Sequence, residues 1–168
     1  MTDTININDK TIPIKASADV MIIYKAQFGT DYAADCLHLE NESDSTDGYV
    51  VTAFQLLWAM AKAADPEILP PTQWAVSLGK FDLEKPLKQA QALYTECLGR
   101  YEAEDLDNSS EPVTAEKLRA YAALAGLTSA DLNAMPLPMV LEIITTYIKT
   151  KYGDKSPKEA TQEDFDKF

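Results

Sequence analysis

The strongest structural signal in the chain is an apolar helical repeat over residues 49–64, YVVTAFQLLWAMAKAA. Its large side chains recur at spacings that place them on one face of a helix, and they are Val50, Phe54, Leu57, Trp58 and Ala61. Residues 65–66 and 70–71 contain proline, which lacks an amide hydrogen and disfavours a helical residue before it, so the helix should end there.

Shorter patterns predict a hairpin and further helices in the first hundred residues. Apolar and polar residues alternate over residues 4–15 around an Asn-Asp turn, which is typical of a β-hairpin with one buried face. Gly29 is expected to end a helix in the left-handed conformation. Side-chain caps predict four helix starts, and these are Ser17 or Asp19 for a helix to Phe28, Thr30 for residues 31–39, Thr72 for a short helix, and Asp82 for residues 83–101.

The character of the chain changes over residues 102–113, EAEDLDNSSEPV, which read as an acidic linker. Helical patterns return after it, as a helix over residues 114–125 stopped by Gly126, a capping box of Thr128 with Asp131, and a helix over residues 138–152 stopped by Gly153. The sequence therefore predicts a mainly α protein. Its expected units are an N-terminal hairpin and helical domain over 1–101, a linker over 102–113, a small helical domain over 114–153, and a mobile polar tail over 154–168.

Charge and composition narrow the classes of function. The chain has 27 acidic and 15 basic residues and a net charge of -12. Such a surface repels phosphates unless basic residues cluster, and they do not, so we expect no nucleic-acid partner. No apolar run approaches the roughly 18 residues that cross a bilayer, so we expect no membrane partner. The N-terminus lacks the features of a signal peptide, which predicts a soluble, intracellular protein with reduced Cys36 and Cys97.

The residues that usually carry catalysis are too few to predict an enzyme. His38 is the single histidine, and residues two apart on a helix point in different directions, so His38 does not form a dyad with Cys36. The glycines form no phosphate-binding loop and no nucleophile elbow. The clustered carboxylates lie in the linker, where nothing would exclude water and shift their pKa values apart. We therefore expect no catalytic residue, metal site or cofactor.

Short motifs in a fixed order resemble the tail assembly chaperones of long-tailed, siphovirus-type phages of Gram-positive bacteria. The first motif comprises Tyr24, Phe28, Gly29 and Asp31, the second is Leu-x-Trp-x-x-Ala-Lys over residues 56–62, and Pro71 and Trp74 follow. Residues 125–148 and the ending ATQEDFDKF are similar to the C-terminal extension of the family's long form. The family pattern often has a basic residue near position 22 or 23, where this chain has isoleucine.

The resemblance implies a function in phage assembly. The first domain would bind the tape measure protein and keep it soluble, while the extension, commonly made by a ribosomal frameshift, would recruit tail tube protein. A frameshift join would fall near residues 102–113. The chaperone would act in the host bacterial cytoplasm and be absent from the mature virion.

Aromatic residues are the candidates for partner contacts, although core packing explains each of them equally well. For the tape measure protein they are Tyr24, Phe28, Phe54, Trp58 and Trp74, and for the tube protein they are Tyr147, Phe165 and Phe168. Two other functions stay open, an acidic helical adaptor that binds one host partner and a nucleic-acid mimic. The sequence also leaves open a homo-oligomer.

Overall fold

The protein is mainly helical, with one two-stranded antiparallel sheet at its N-terminus, as the sequence predicts. A computed structural model describes residues 1–41, 46–80, 82–98 and 113–153. In these ranges the elements are β1 Thr2–Ile7, β2 Lys10–Lys15, α1 Asp19–Phe28, α2 Tyr32–Asn41, α3 Thr46–Ala64, α4 Pro71–Leu78, α5 Glu84–Leu98, α6 Ala115–Leu124, α7 Ser129–Ala134 and α8 Leu137–Tyr152.

The N-terminal hairpin has one buried face and a two-residue turn. Ile7 pairs with Lys10 across the turn, and Asn8 adopts a φ of 52°, a left-handed conformation that asparagine tolerates better than most residues. The four alternating isoleucines are buried, as predicted. The Asn8 side-chain amide donates to the Leu78 carbonyl oxygen at 2.8 Å, so the tip of the hairpin is held against the end of α4.

Helix α3 lies at the centre of the first core and contacts β2, α1, α2 and α5. The sequence predicts one buried face, whereas residues 56–61 are each no more than 3% exposed. The difference arises because the hairpin and three helices surround these turns, leaving no side open to solvent. A helix that is apolar on all sides is one that other elements enclose.

The predicted helix ends are confirmed where a glycine or a local capping box defines them. Gly29 has a φ of 81° and donates its N–H to the Lys25 carbonyl oxygen at 2.9 Å. The side chain of Thr128 accepts from the Asp131 N–H while the carboxylate of Asp131 accepts from the Thr128 N–H, which completes the capping box. The Asp82 carboxylate accepts from the Glu84 N–H at 3.0 Å, at the start of α5.

The predicted N-caps of α1, α2 and α4 are wrong. The predicted side chains of α1 and α2 do not cap those helices, and α4 begins at a proline. The N-cap position of α1 is Ala18, without a side-chain hydrogen bond, so neither Ser17 nor Asp19 caps it. Thr30 donates instead to the Asp35 carboxylate at 2.7 Å. Helix α4 begins at Pro71, one residue before Thr72, since proline at the first helical position lacks only an N–H that has no partner there.

Helices α6, α7 and α8 form a second core together with the start of α1. Its buried residues are Ala18, Leu118, Ala122, Leu132, Leu137, Val140 and Ile144. Met21 packs against both cores. The predicted linker lies outside the described residues except for Val113, and the predicted tail 154–168 lies wholly outside them. The two-domain division therefore stays a prediction, although the helices on either side of the linker contact one another.

Replacement of Leu57 by alanine tests the position of α3 in the first core. Leu57 is fully buried, so we expect Leu57→Ala to lower the free energy of unfolding by about 2–5 kcal/mol. Leu69→Ala is the matched control because Leu69 is 45% exposed, and it should cost well under about 1 kcal/mol. Urea unfolding followed by circular dichroism measures both, and equal losses would contradict this packing.

Candidate functional site: the corner between helices α1 and α2

A chain of aromatic rings begins at the corner where α1 ends at Gly29 and α2 begins. The Tyr24 ring centroid lies 5.0 Å from that of Phe28 and 5.6 Å from that of Tyr32. Phe28 meets Trp58 edge to face at 5.7 Å, and Tyr32 meets Tyr94 in the same way at 5.6 Å. These distances are within the favourable range for aromatic pairs. The rings therefore join α1 and α2 to α3 and α5.

A buried hydroxyl fixes the centre of the corner. The Tyr24 hydroxyl oxygen lies 2.7 Å from Asp35 Oδ2, to which it donates, and 2.9 Å from Gln55 Oε1. Burial raises the pKa of Tyr24 far above its usual value, and the hydrogen bond to Asp35 raises it further. Burial likewise raises the pKa values of Tyr32 and Tyr94. These hydroxyls stay protonated at neutral pH, which suits a structural role rather than acid–base catalysis.

Lys25 and Asp31 join the corner to the C-terminal helices. Lys25 Nζ lies 3.1 Å from Asp31 Oδ2 and 3.4 Å from Glu116 Oε1. Asp31 Oδ1 accepts from the Ala115 N–H at 3.0 Å, at the first residue of α6. The hydrogen bond to Asp31 is the largest cause of a raised pKa at Lys25. Glu116 is mostly exposed, so this ion pair itself contributes little to stability.

Three of the five residues predicted to contact the tape measure protein lie in the core. Tyr24 is 0%, Trp58 3% and Trp74 5% exposed, so these side chains pack in the core, and their contact with the tape measure protein stays a prediction. Trp58 donates its indole N–H to the Leu69 carbonyl oxygen, which explains how its polar atom is accommodated. Phe28 and Phe54 are half-buried against the first core, and the Phe54 ring lies 5.4 Å from that of Trp74.

The predicted contacts for the tube protein are only partly within the described residues. Tyr147 is half-buried on α8, and its hydroxyl lies 2.7 Å from Lys151 Nζ. Phe165 and Phe168 lie outside the described residues.

Sequence reasoning did not find the large apolar side chains that are actually exposed. On the C-terminal helices they are Tyr121, Leu124, Met139, Ile148 and Tyr152, and on α3 and α4 they are Tyr49, Val51 and Val76. Some signal was present, because Tyr49 and Val51 fall outside the spacing that defines the buried face of α3. The exposure of Ile148 and Tyr152 depends on where the second core ends along α8. A local sequence pattern does not predict that point.

The described residues offer little for metal or thiol chemistry. They contain no group of three or more side chains suited to hold a metal ion. Neither Cys36 nor Cys97 is in a disulfide, and burial raises the pKa of the Cys97 thiol, which disfavours the reactive thiolate. Within the same ranges, no helix has the length and apolar character needed to cross a membrane.

A groove of about 370 Å³ lies beside β2 and is open to solvent. Its walls come from the hairpin, the end of α3, the following loop and α4, and they include Ile12, Pro13, Asp65, Ile68 and Trp74. Apart from Lys10, Thr11 and Asp65 its lining residues are apolar, so the groove offers no convergent set of catalytic groups.

Comparison with protein-family models, with curated proteins and with solved structures finds no match to this chain.

Removal of the Tyr24 hydroxyl tests its role at the corner. Tyr24→Phe keeps the ring contacts but removes the hydroxyl that donates to Asp35 and lies beside Gln55, so we expect a loss of about 1–2 kcal/mol in the free energy of unfolding. The same change at the exposed Tyr121 should have no measurable effect. Urea titration of both variants and the parent gives the comparison, and an unchanged Tyr24→Phe midpoint would refute the role of the hydroxyl.

The raised tyrosine pKa values predict a loss of stability in alkali. Below about pH 10 the side chains are protonated in both folded and unfolded chains, so they add no pH dependence. Above that pH the unfolded chain releases protons that the folded chain keeps on Tyr24, Tyr32 and Tyr94. The free energy of unfolding should then fall by about 1.4 kcal/mol per pH unit for each tyrosine.

Urea titrations between about pH 9 and about pH 11 measure this slope. Tyr94→Phe should reduce this slope by about a third, because it removes one of the three tyrosines whose pKa values are raised. A stability that stays constant over this range would contradict the assignment.

Proposed function

We propose that the protein is a tail assembly chaperone of a siphovirus-type phage. It binds the tape measure protein and keeps it soluble, and its C-terminal helices recruit tail tube protein. It acts in the host bacterial cytoplasm and leaves before the virion is complete.

The observation that carries the proposal is that the separate family motifs meet in one place. Phe28 of the first motif contacts Trp58 of the second at a centroid distance of 5.7 Å. Phe54, just before the second motif, contacts Trp74 at 5.4 Å. Asp31, the last residue of the first motif, binds both Lys25 and the start of α6. Residues that are far apart in sequence thus form one framework, which supports a common origin for the motifs.

The distribution of charge and apolar surface also supports a chaperone. The chain carries a net charge of -12, which keeps a complex with an aggregation-prone partner in solution. The exposed apolar side chains on α6 and α8 are surface that a protein partner would cover. Phe28 in the first motif and Phe54 just before the second are the predicted residues that stay partly accessible, while the buried aromatic side chains form the framework beneath them.

The end of α8 supports a second contact surface for tube protein. Ile144 is the last buried residue of this helix, and residues 145–152 include none. The apolar face nevertheless continues through Tyr147, Ile148 and Tyr152, of which Ile148 is 38% and Tyr152 64% exposed. Lys149 and Lys151 place positive charge beside this face in an otherwise acidic protein. The helix therefore presents an apolar, basic end beyond the core.

Co-expression with the tape measure protein encoded beside this chain tests the proposal. We expect the full chain to keep the tape measure protein in the soluble fraction and to bring down tube protein with it. Removal of residues 154–168, with Phe165 and Phe168, should lower the yield of tube protein but not of tape measure protein. Tyr152→Ala should do the same, because Tyr152 lies on the exposed end of α8.

Tyr49→Ala is the matched control, since Tyr49 is also exposed but belongs to α3 rather than to α8. It should leave recovery of tube protein unchanged. If the tape measure protein precipitates with every form of the chain, the chaperone proposal fails and an adaptor for one host partner becomes the better explanation. Competition with DNA for a basic protein, abolished by salt, would instead favour the nucleic-acid mimic.

A further inference from the structure

Helix α1 is apolar on two opposite sides, and each side belongs to a different core. Val20 and Ile23 face the first core, with α3 and the hairpin. Ala18 and Ile22 face the second core, which α6, α7 and α8 complete. Met21 contacts both. We call Ala18, Met21 and Ile22 the second face of α1. Without the C-terminal helices this face would lie open to water.

Helix α6 contributes the large Leu118 and the small Ala122 to the second core, and the small Ala115 is buried at the start of the helix. Ala115, Leu118 and Ala122 are 3%, 0% and 1% exposed, at the i, i+3, i+7 spacing of a helix face. Small side chains on either side of Leu118 let the helices approach closely, since side-chain size sets the distance between packed helices. The occupant of this face is thus an amphipathic helix with a small–large–small pattern.

Two polar side chains at the corner, Asp31 and Lys25, bind the start of that helix, and we call this pair the seat. Asp31 accepts the first N–H of α6, and Lys25 pairs with the first-turn Glu116. Both groups come from the N-terminal part of the chain, so they would serve any helix that begins in the same place with an acidic first turn. Asp31 adds a cap from outside the helix to the local one provided by Thr114.

Within the residues that the structure describes, few other polar contacts join the C-terminal helices to the rest of the chain, and the Ser17 hydroxyl donates to Asn133 Oδ1 only at the long distance of 3.4 Å. Ala18 donates its N–H to the Met135 carbonyl oxygen at 3.0 Å, and the Asn133 side-chain amide donates to the Ala63 carbonyl oxygen at 3.3 Å. A hydrogen bond of this kind adds about 0.5–1.5 kcal/mol, and an exposed ion pair adds less. The apolar contacts of Leu118 therefore supply much of what keeps α6 in place.

We propose that the second face of α1 is the docking face for an amphipathic helix of the tape measure protein, and that α6 and α7 occupy this face in the absence of that partner. This rests on the proposed function. The partner helix has an acidic first turn, which pairs with Lys25, followed by a small–large–small apolar pattern that packs on Ala18, Met21 and Ile22. The C-terminal helices thus compete with the partner helix for the second face. They lower the apparent affinity for the partner by about the ratio of chains whose second face is covered to chains whose second face is free.

The test compares two leucine-to-alanine variants of the full chain. Leu118→Ala weakens the internal occupant because Leu118 is fully buried, whereas Leu124→Ala makes the same change on the same helix at a side chain that is 61% exposed. Two labelled probes are titrated: synthetic peptides covering the helices of the tape measure protein, and a peptide with the sequence of residues 113–135. We expect Leu118→Ala to bind both probes at least about tenfold more tightly than the parent, and Leu124→Ala to differ by less than about twofold.

Two further variants separate opening of the second face from general unfolding. Glu116→Lys places two positive charges together at the seat, while Glu142→Lys makes the same change at an exposed site on α8. Only the first should strengthen binding, by about two- to fivefold. In the Leu118→Ala background, Ile22→Asp should abolish the gain because it places a carboxylate on the docking face. Hydrogen exchange at the Leu57 amide, within the first core, should be unchanged by Leu118→Ala.

The outcomes separate this inference from the proposed function. If the parent and Leu118→Ala bind the tape measure peptides equally well, the proposed function stands and the inference is overturned. If no form of the chain binds the tape measure protein or its peptides, both are overturned, even where the 113–135 peptide binds. Tighter binding that survives Ile22→Asp also overturns the inference, since the partner would then lie elsewhere.

Discussion

The need to bury both sides of α1 determines the arrangement of the rest of the structure. A ten-residue helix with large apolar side chains around its circumference cannot rest on one core alone. The hairpin and α3 cover one side, and α6 to α8 cover the other. Because Met21 contacts both cores, the two halves of the chain meet through this helix as well as through the contact of α5 with α8.

The corner between α1 and α2 fixes how the neighbouring helices are placed. Gly29 turns the chain, the aromatic rings hold α1 against α3 and α2 against α5, and Asp31 accepts a hydrogen bond from the start of α6. The motif that suggested partner contacts therefore has mostly structural tasks. Its aromatic residues form the framework, while the accessible apolar side chains lie on α6 and α8 and at the ends of α3 and α4.

Sequence reasoning succeeded where the signal is local. The hairpin, the stop at Gly29 and the capping box at Thr128 each depend on residues a few positions apart, and all three are confirmed. It failed at Thr30, whose hydroxyl binds Asp35, and it could not separate core packing from partner contact at Trp58 and Trp74, which are buried. Neighbours such as Ile22 and Ile23 illustrate the reason: they are chemically identical, yet they pack in different cores because of helices distant in the chain.

The contact of Asp31 with Ala115 joins residues 84 positions apart, so the two sides of α1 cannot be covered at the same moment in a growing chain. The elements of the first core are complete once Leu98 has been added, whereas the second core needs residues up to Ile144. At about 5–20 residues per second, translation takes several seconds to add the residues between these points. For that time the nascent chain presents Ala18, Met21 and Ile22 without the helices that later cover them.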